Sequence, residues 1–169
     1  MTPEMETATK YQSHLPALLA CIASTTGPVL EVGVGHFSTP HLHALCGALK
    51  RNLVSMEWDK AWREEFEKRY ANSGHTVVGE WVHLRNNGRW GVSFIDDSPG
   101  GANRAAKFKS LIPVSDYVVM HDAQKDAENF QAVELMLEGL NWHLCTAIFP
   151  HTLVASKTLQ IPEVIKHMI

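Results

Sequence analysis

The sequence predicts an α/β fold with a mostly parallel seven-stranded sheet, helices on both of its faces, and an antiparallel pair at the C-terminal edge. Three observations predict it. Short apolar runs alternate with segments of helical periodicity along most of the chain, as in strands joined by helical crossovers. A glycine turn links the first such run to its helix, and later runs close on acids. The last two runs, "HLCTAIF" and "HTLVAS", follow one another with no helical segment between them, which fits an antiparallel edge pair.

The elements follow in order. Leu15, Leu18, Leu19 and Ile22 share one helical face, so an opening helix is expected over about residues 5–25, ending near Gly27-Pro28. "PVLEVGVG" reads as a buried strand entering a glycine turn, and "TPHLHALCGALK" as a helix with Thr39 at its N-cap and Pro40 in its first turn. The unit then repeats. "NLVSMEWD" is a strand closed by acids, and "KAWREEFEKRYANSG" is an amphipathic helix stopped near Gly74. "HTVVGEWV" reads as the third strand and "GVSFIDD" as the fourth, followed by a loop and helix in "SPGGANRAAKFKSLIP". "SDYVVMHDA" is the fifth strand and "AENFQAVELMLEGL" its helix; the tail from Gln160 caps a sheet edge or frays. The arrangement is a Rossmann-like three-layer sandwich, in which ligands sit at the carboxyl ends of the strands.

A chain of 169 residues, 45% hydrophobic and 20% charged, suits one domain spanning residues 1–169. Its ligand-binding core is expected at about 28–123 and the C-terminal helix and strand pair at about 127–158. A net charge of −3 gives no reason to expect a nucleic-acid partner, which leaves a small-molecule substrate. No apolar run approaches the roughly 20 residues that cross a bilayer, and "MTPEMETATK" has no secretion-signal pattern, so a cytoplasmic protein without a membrane partner is expected. Cys21, Cys46 and Cys145 are odd in number and far apart, which signals neither a disulfide framework nor a thiolate zinc site.

The chemistry gathers at the strand ends. Glu31 precedes Gly33 and Gly35, whose missing side chains let the backbone turn tightly against a ligand, and the hydroxyls of Ser38 and Thr39 follow. A dinucleotide turn would carry its third glycine at Ser38. A carboxylate at position 31 would repel a pyrophosphate but attract an ammonium group. Glu57, ending the second strand, is placed to accept from a ribose diol, with Trp58 offering a flat face to a purine and Glu80 an acceptor for an exocyclic amine. An amino-acid tail, a sugar and an adenine in sequence are the layout of S-adenosylmethionine.

"VLEVGVGHFST", "LVSMEWD", "VSFIDD" and "DYVVMHDA", in this order and spacing, resemble the class I S-adenosylmethionine-dependent methyltransferases. The resemblance implies Glu31, Gly33 and Gly35 around the methionyl end, Glu57 on the ribose, Glu80 near the adenine and Asp96 beside the sulfonium. The "FID…HD" pairing looks closest to the small-molecule O-methyltransferases. That branch often holds a divalent cation, and the matching residues are Asp96, His121 and Asp122, with Asp97 as a substitute. Imidazole is a poor ligand for hard magnesium, so no metal is expected, although a transition metal stays open. Without a metal, His121 oriented by Asp122 would be the general base. Arg104, Lys107 and Lys109 are expected on a solvated helix face, and His41 and His43 on different faces of theirs.

The expectation is therefore methyl transfer from S-adenosylmethionine to a small molecule, at a hydroxyl oxygen before an amine. The alternatives are a protein that binds the cofactor without turnover and a nicotinamide-dependent oxidoreductase on a related sheet. With no lid or substrate domain, the pocket is open or is closed by a second subunit in a homo-oligomer.

Overall fold

The computed structural model describes residues 11–81, 88–98, 102–124 and 128–168. Seven strands, β1 (Val29–Val32), β2 (Leu53–Met56), β3 (His75–Val78), β4 (Trp90–Ile95), β5 (Ser115–Met120), β6 (Asn141–Cys145) and β7 (Thr152–Ser156), form one sheet in the order β3-β2-β1-β4-β5-β7-β6. The first five run parallel, and β7 pairs antiparallel with both β5 and β6. The edge pair is thus inserted in reverse, with β7 inside and β6 at the rim.

Six α-helices are named among the described residues: α1 (Leu15–Ala23), α2 (Thr39–Ala48), α3 (Lys60–Tyr70), α4 (Ala102–Leu111), α5 (Glu128–Glu134) and α6 (Glu163–Lys166). Alternation of side chains along the strands divides the core between the two faces of the sheet. Leu30, Val32 and Ile95 pack with Phe108 of α4 and Phe130 of α5. On the other face Val29, Val92 and Phe94 pack with Leu18 and Ile22 of α1, Leu42 of α2 and Ile165 of α6. Cys21, Cys46 and Cys145 are free and buried. No described helix is long and apolar enough to cross a membrane.

Four local expectations are refined. A turn at residues 12–14 interrupts the opening helix after Tyr11, and α1 starts at Leu15, where Pro16 fixes its first turn; residues 5–10 of the expected helix lie outside the described residues. Thr39 is the first residue of α2, and Ser38 takes the cap position, but its hydroxyl oxygen accepts from no helix N–H. The helix α3 ends at Tyr70 rather than near Gly74, since Asn72 Oδ1 accepts from the N–H groups of Gly74 and His75 and turns the chain early. The tail does not fray: Ile161 and Ile165 are buried in the core beside α1, and α6 packs against the edge strand β6, where Thr146 N–H donates to Met168 O at 3.0 Å.

Asp59 caps α3, accepting from Trp62 N–H at 2.7 Å. Asp59→Ala is expected to lower stability by about 1 kcal/mol, read from the denaturant midpoint.

Candidate active site

The sheet order reverses between β1 and β4, and the crevice at their carboxyl ends is where this architecture receives ligands. Gly33, just past β1, has φ +94°, a region that side-chain-bearing residues enter at a cost. A Cβ there would lie 2.6 Å from the carbonyl oxygen of Asp96 and 2.7 Å from Asp97 Cα. The two loops touch backbone to backbone, so the first glycine of the turn is required by the loop beside it as much as by any ligand.

Glu31 lies beneath the turn. Its side chain is fully buried, and hydroxyls converge on it: Ser38 at 2.6 Å and Thr39 at 3.0 Å on Oε1, Ser55 at 2.6 Å and Thr39 at 3.0 Å on Oε2. Thr39 Oγ1 in turn accepts from Gly35 N–H at 3.0 Å, so the acid, the start of α2 and the turn form one unit. Burial pushes the Glu31 pKa up to about 7, against the lowering effect of the three hydroxyls. The expected direct contact between Glu31 and an ammonium group is not the arrangement found, because its oxygens are already occupied by the chain itself. Ser38 and Thr39 face Glu31 rather than the cleft. The network also extends away from the turn. Ser55 donates to Glu31, so it accepts from His75 Nε2 at 2.9 Å, and His75 Nδ1 lies 3.1 Å from His43 Nδ1. His43 and His75 line a separate cavity of about 440 Å³ at the amino ends of β2 and β3.

The cleft itself measures about 720 Å³, within the size range of small-molecule sites, and is lined by Gly33, Val34, Glu57, Trp58, Trp62 and Asp96 among others. Glu57 ends β2 as expected. Its Oε2 accepts from Val34 N–H at 3.3 Å and its Oε1 from Asp59 N–H at 2.9 Å. A carboxylate has about four lone-pair directions, so two remain for a ligand. Trp58 is exposed at the rim, with Lys107 Nζ 5.8 Å from its ring centre. Trp62 donates to Val34 O at 2.9 Å and props the glycine turn. Glu80 is exposed and does not line this cleft.

Behind Asp96 stands a buried polar cluster. His121, at the end of β5, places Nδ1 3.1 Å from Asp96 Oδ1, while its Nε2 lies 2.9 Å from Ser13 Oγ. The Ser13 hydroxyl donates to Pro150 O at 2.7 Å. Arg104 of α4 is buried and reaches Asp96 Oδ1 at 3.2 Å, Asp122 Oδ2 at 3.0 Å, and the carbonyls of Asp97 at 2.9 Å and His121 at 3.0 Å. Lys107 pairs with the buried Asp97. Burial alone would raise the Asp96 pKa, but the hydrogen bond and charge of His121, with Arg104 beside them, hold it below its usual value. Burial, followed by the neighbouring His121, pushes the His14 pKa down to about 4.

Two expectations change here. His121 is not oriented by Asp122, whose nearer oxygen is 3.7 Å from Nδ1; Asp96 takes that place because Asp122, at φ +53°, turns to Arg104. Arg104 and Lys107 do not lie on a solvated face, since three carboxylates at the strand ends draw them inward; Lys109 is exposed as expected. The set Asp96, His121 and Asp122 does not suit a hard divalent cation, because one member is an imidazole and another is held by a guanidinium. Sequence reasoning missed Ser13, His14, Ser55 and His75. Ser13 and His14 stand in a segment read only as an apolar helix, and Ser55 inside a strand read only for burial.

Solved structures share this architecture. Human methyltransferase-like protein 13, in complex with SAH, has TM-score 0.65 at 11% sequence identity, over 93% of this chain and 90% of that one. The SAH-bound methyltransferase PaMTH1 from Podospora anserina has TM-score 0.64 at 14% identity, over 82% of this chain and 74% of that one. The N-methyltransferase NodS from Bradyrhizobium japonicum has TM-score 0.60 at 12% identity, over 87% and 94%. No protein-family model and no curated protein matches the sequence. What the chain shares with these enzymes at such identities is their fold, that of the class I methyltransferases.

Proposed function

We propose that this chain is an S-adenosylmethionine-dependent methyltransferase acting at a hydroxyl oxygen of a small-molecule acceptor. One observation carries the reading: a single cleft at the switch point brings together a glycine turn, a strand-end carboxylate with spare lone pairs, and an aspartate held ionised. That two solved neighbours bind SAH on the same fold supports the cofactor.

The residues of the chain divide the work. Glu57 accepts from the two hydroxyls of the ribose, and Trp58 presents its ring to the base, with Glu80 beyond it. Gly33 and Gly35 let the cofactor's methionyl end approach the backbone, while Glu31, Ser38 and Thr39 hold that turn in shape from below. Bound there, the cofactor supplies a methyl group on a sulfonium already primed to leave. Asp96 faces the cleft and stabilises the positive charge that grows on the acceptor oxygen as it takes the methyl, then receives or passes on its proton. His121 and Asp122 are positioning residues: the first fixes Asp96, and the second fixes the Arg104 that flanks it.

Isothermal titration with S-adenosylhomocysteine tests the cofactor site. Glu57→Ala is expected to weaken that binding by about 1–3 kcal/mol through lost charge-assisted hydrogen bonds. Equal affinity in the variant removes Glu57 from the site. Stabilisation by NAD and not by S-adenosylhomocysteine in a thermal-shift comparison overturns the methyltransferase reading, and turnover against phenols, hydroxy acids and amines assigns the acceptor.

A further inference from the structure

We infer that His14, Asp96 and His121 form a binding site for one divalent transition-metal ion, of the zinc or cobalt class, behind the cleft. The inference stands independently of the cofactor reading. It also differs from the acid-based cation site that the sequence resemblance implies, because Asp122 is not a ligand and a residue of α1's approach, His14, is.

His14 is the first observation. It is 1% exposed, and neither Nδ1 nor Nε2 has a hydrogen-bond partner. A buried imidazole with both nitrogens unpaired forfeits the hydration of two polar atoms, which native structures repay with a partner or an ion. Its ring packs on Phe94 at 4.7 Å and meets His121 edge-on at 4.8 Å, so its place is fixed.

The second observation is the tautomer of His121. The single hydroxyl hydrogen of Ser13 goes to Pro150 O, so Ser13 Oγ can only accept from His121, and Nε2 carries the hydrogen. In the neutral ring the lone pair of Nδ1 then points at the Asp96 carboxylate 3.1 Å away. Two lone pairs facing each other require a cation between them, either a second proton on the ring or a metal. The Ser13 contact is also the kind of outer hydrogen bond that orients a metal-bound histidine.

Spacing and charge agree with the metal. One donor atom from each of the three residues lies within 4.8 Å of the others. Bonds of about 2.0–2.2 Å place tetrahedral donors roughly 3.3–3.6 Å apart, so a gap of 4.8 Å closes by roughly 1.2–1.5 Å when the side chains draw in on the ion. Asp96, Asp97 and Asp122 face the two cations Arg104 and Lys107, so with His121 in its neutral form one negative charge is left for an incoming ion, which takes the place of the second ring proton. Two imidazoles and one carboxylate select a transition metal over magnesium or calcium. Three protein donors leave a position for water or for an oxygen of the acceptor.

The test is cobalt titration of chelator-treated full-length protein, read by the visible absorption of bound Co2+, with zinc content measured after dialysis. Expected are one ion per chain, at least tenfold weaker binding in His14→Ala and Asp96→Asn, and unchanged binding in His167→Ala, whose imidazole is exposed. X-ray absorption of the zinc-loaded wild type, which needs no variant to fold, is expected to show two imidazoles on the metal. No stoichiometric ion on the folded wild type, a shell without imidazole, or undiminished binding in His14→Ala overturns the site. S-adenosylhomocysteine binding by the same preparation separates the two readings: its retention without metal rejects only the metal site, and its absence with metal retained rejects only the cofactor reading.

Discussion

Gly33→Ala is expected to abolish S-adenosylhomocysteine binding and to lower stability by about 2–5 kcal/mol. Two costs add. A Cβ at φ +94° carries the strain of the left-handed region, about 1–2 kcal/mol, and the same atom meets backbone at 2.6 Å from Asp96 O and 2.7 Å from Asp97 Cα. Neither contact is the tip of a flexible side chain that can swing away. The β1 loop must then part from the β4 loop, which carries Asp96, and overpacking of this kind costs a further 1–3 kcal/mol or so. Gly35→Ala is the control for stability alone, because a Cβ there meets only Ser38 Oγ at 3.6 Å, while Gly35 itself lies in the proposed cofactor turn. Urea unfolding checks the stability of both, and calorimetry their binding; a Gly33→Ala protein as stable as the wild type would show that the loops are not in contact.

Glu31→Ala is expected to cost about 3–5 kcal/mol, since it removes the common acceptor of Ser38, Thr39 and Ser55 and leaves three buried hydroxyls to find partners. The sign of the pH effect follows from the raised pKa. In the unfolded chain the group titrates at its ordinary 4.5, and in the folded protein at about 7. Its stabilising contribution is complete below 4.5 and is lost as pH rises through 7, because the folded state holds a proton that the unfolded chain releases. The loss is on the order of 3 kcal/mol over that window. Glu31→Gln keeps the volume and cannot ionise, so its stability is expected to be flatter with pH between 4.5 and 7. Equal slopes for wild type and Glu31→Gln in urea unfolding at several pH values would mean that Glu31 titrates normally.

The layers, the strand sequence and the reversed edge pair were legible because each rests on periodicity and on turn residues, which act locally. Glu57 and Gly33 were legible for the same reason: a strand end and a turn are read from neighbours in sequence. The cluster behind Asp96 was not. Its members come from α1's approach, β4, α4 and β5, and no spacing rule joins Ser13 to His121 across 108 positions. Arg104 misled for a physical reason. A basic residue on an amphipathic helix is usually solvated, and here the carboxylates of Asp96 and Asp122, with the carbonyls of Asp97 and His121, outweigh the cost of burying its guanidinium. Glu31 was read as a ligand because the hydroxyls that occupy it lie seven, eight and 24 residues away, beyond the reach of a local pattern.

The file from His43 through His75 and Ser55 ties Glu31 to the far pole of the sheet. Its last two bonds run from imidazole to hydroxyl to carboxyl, so the floor of the turn is anchored beside the amino-end cavity that His43 and His75 line. A change made at that remote cavity therefore reaches the mouth of the cleft through Ser55, without touching any residue that lines it.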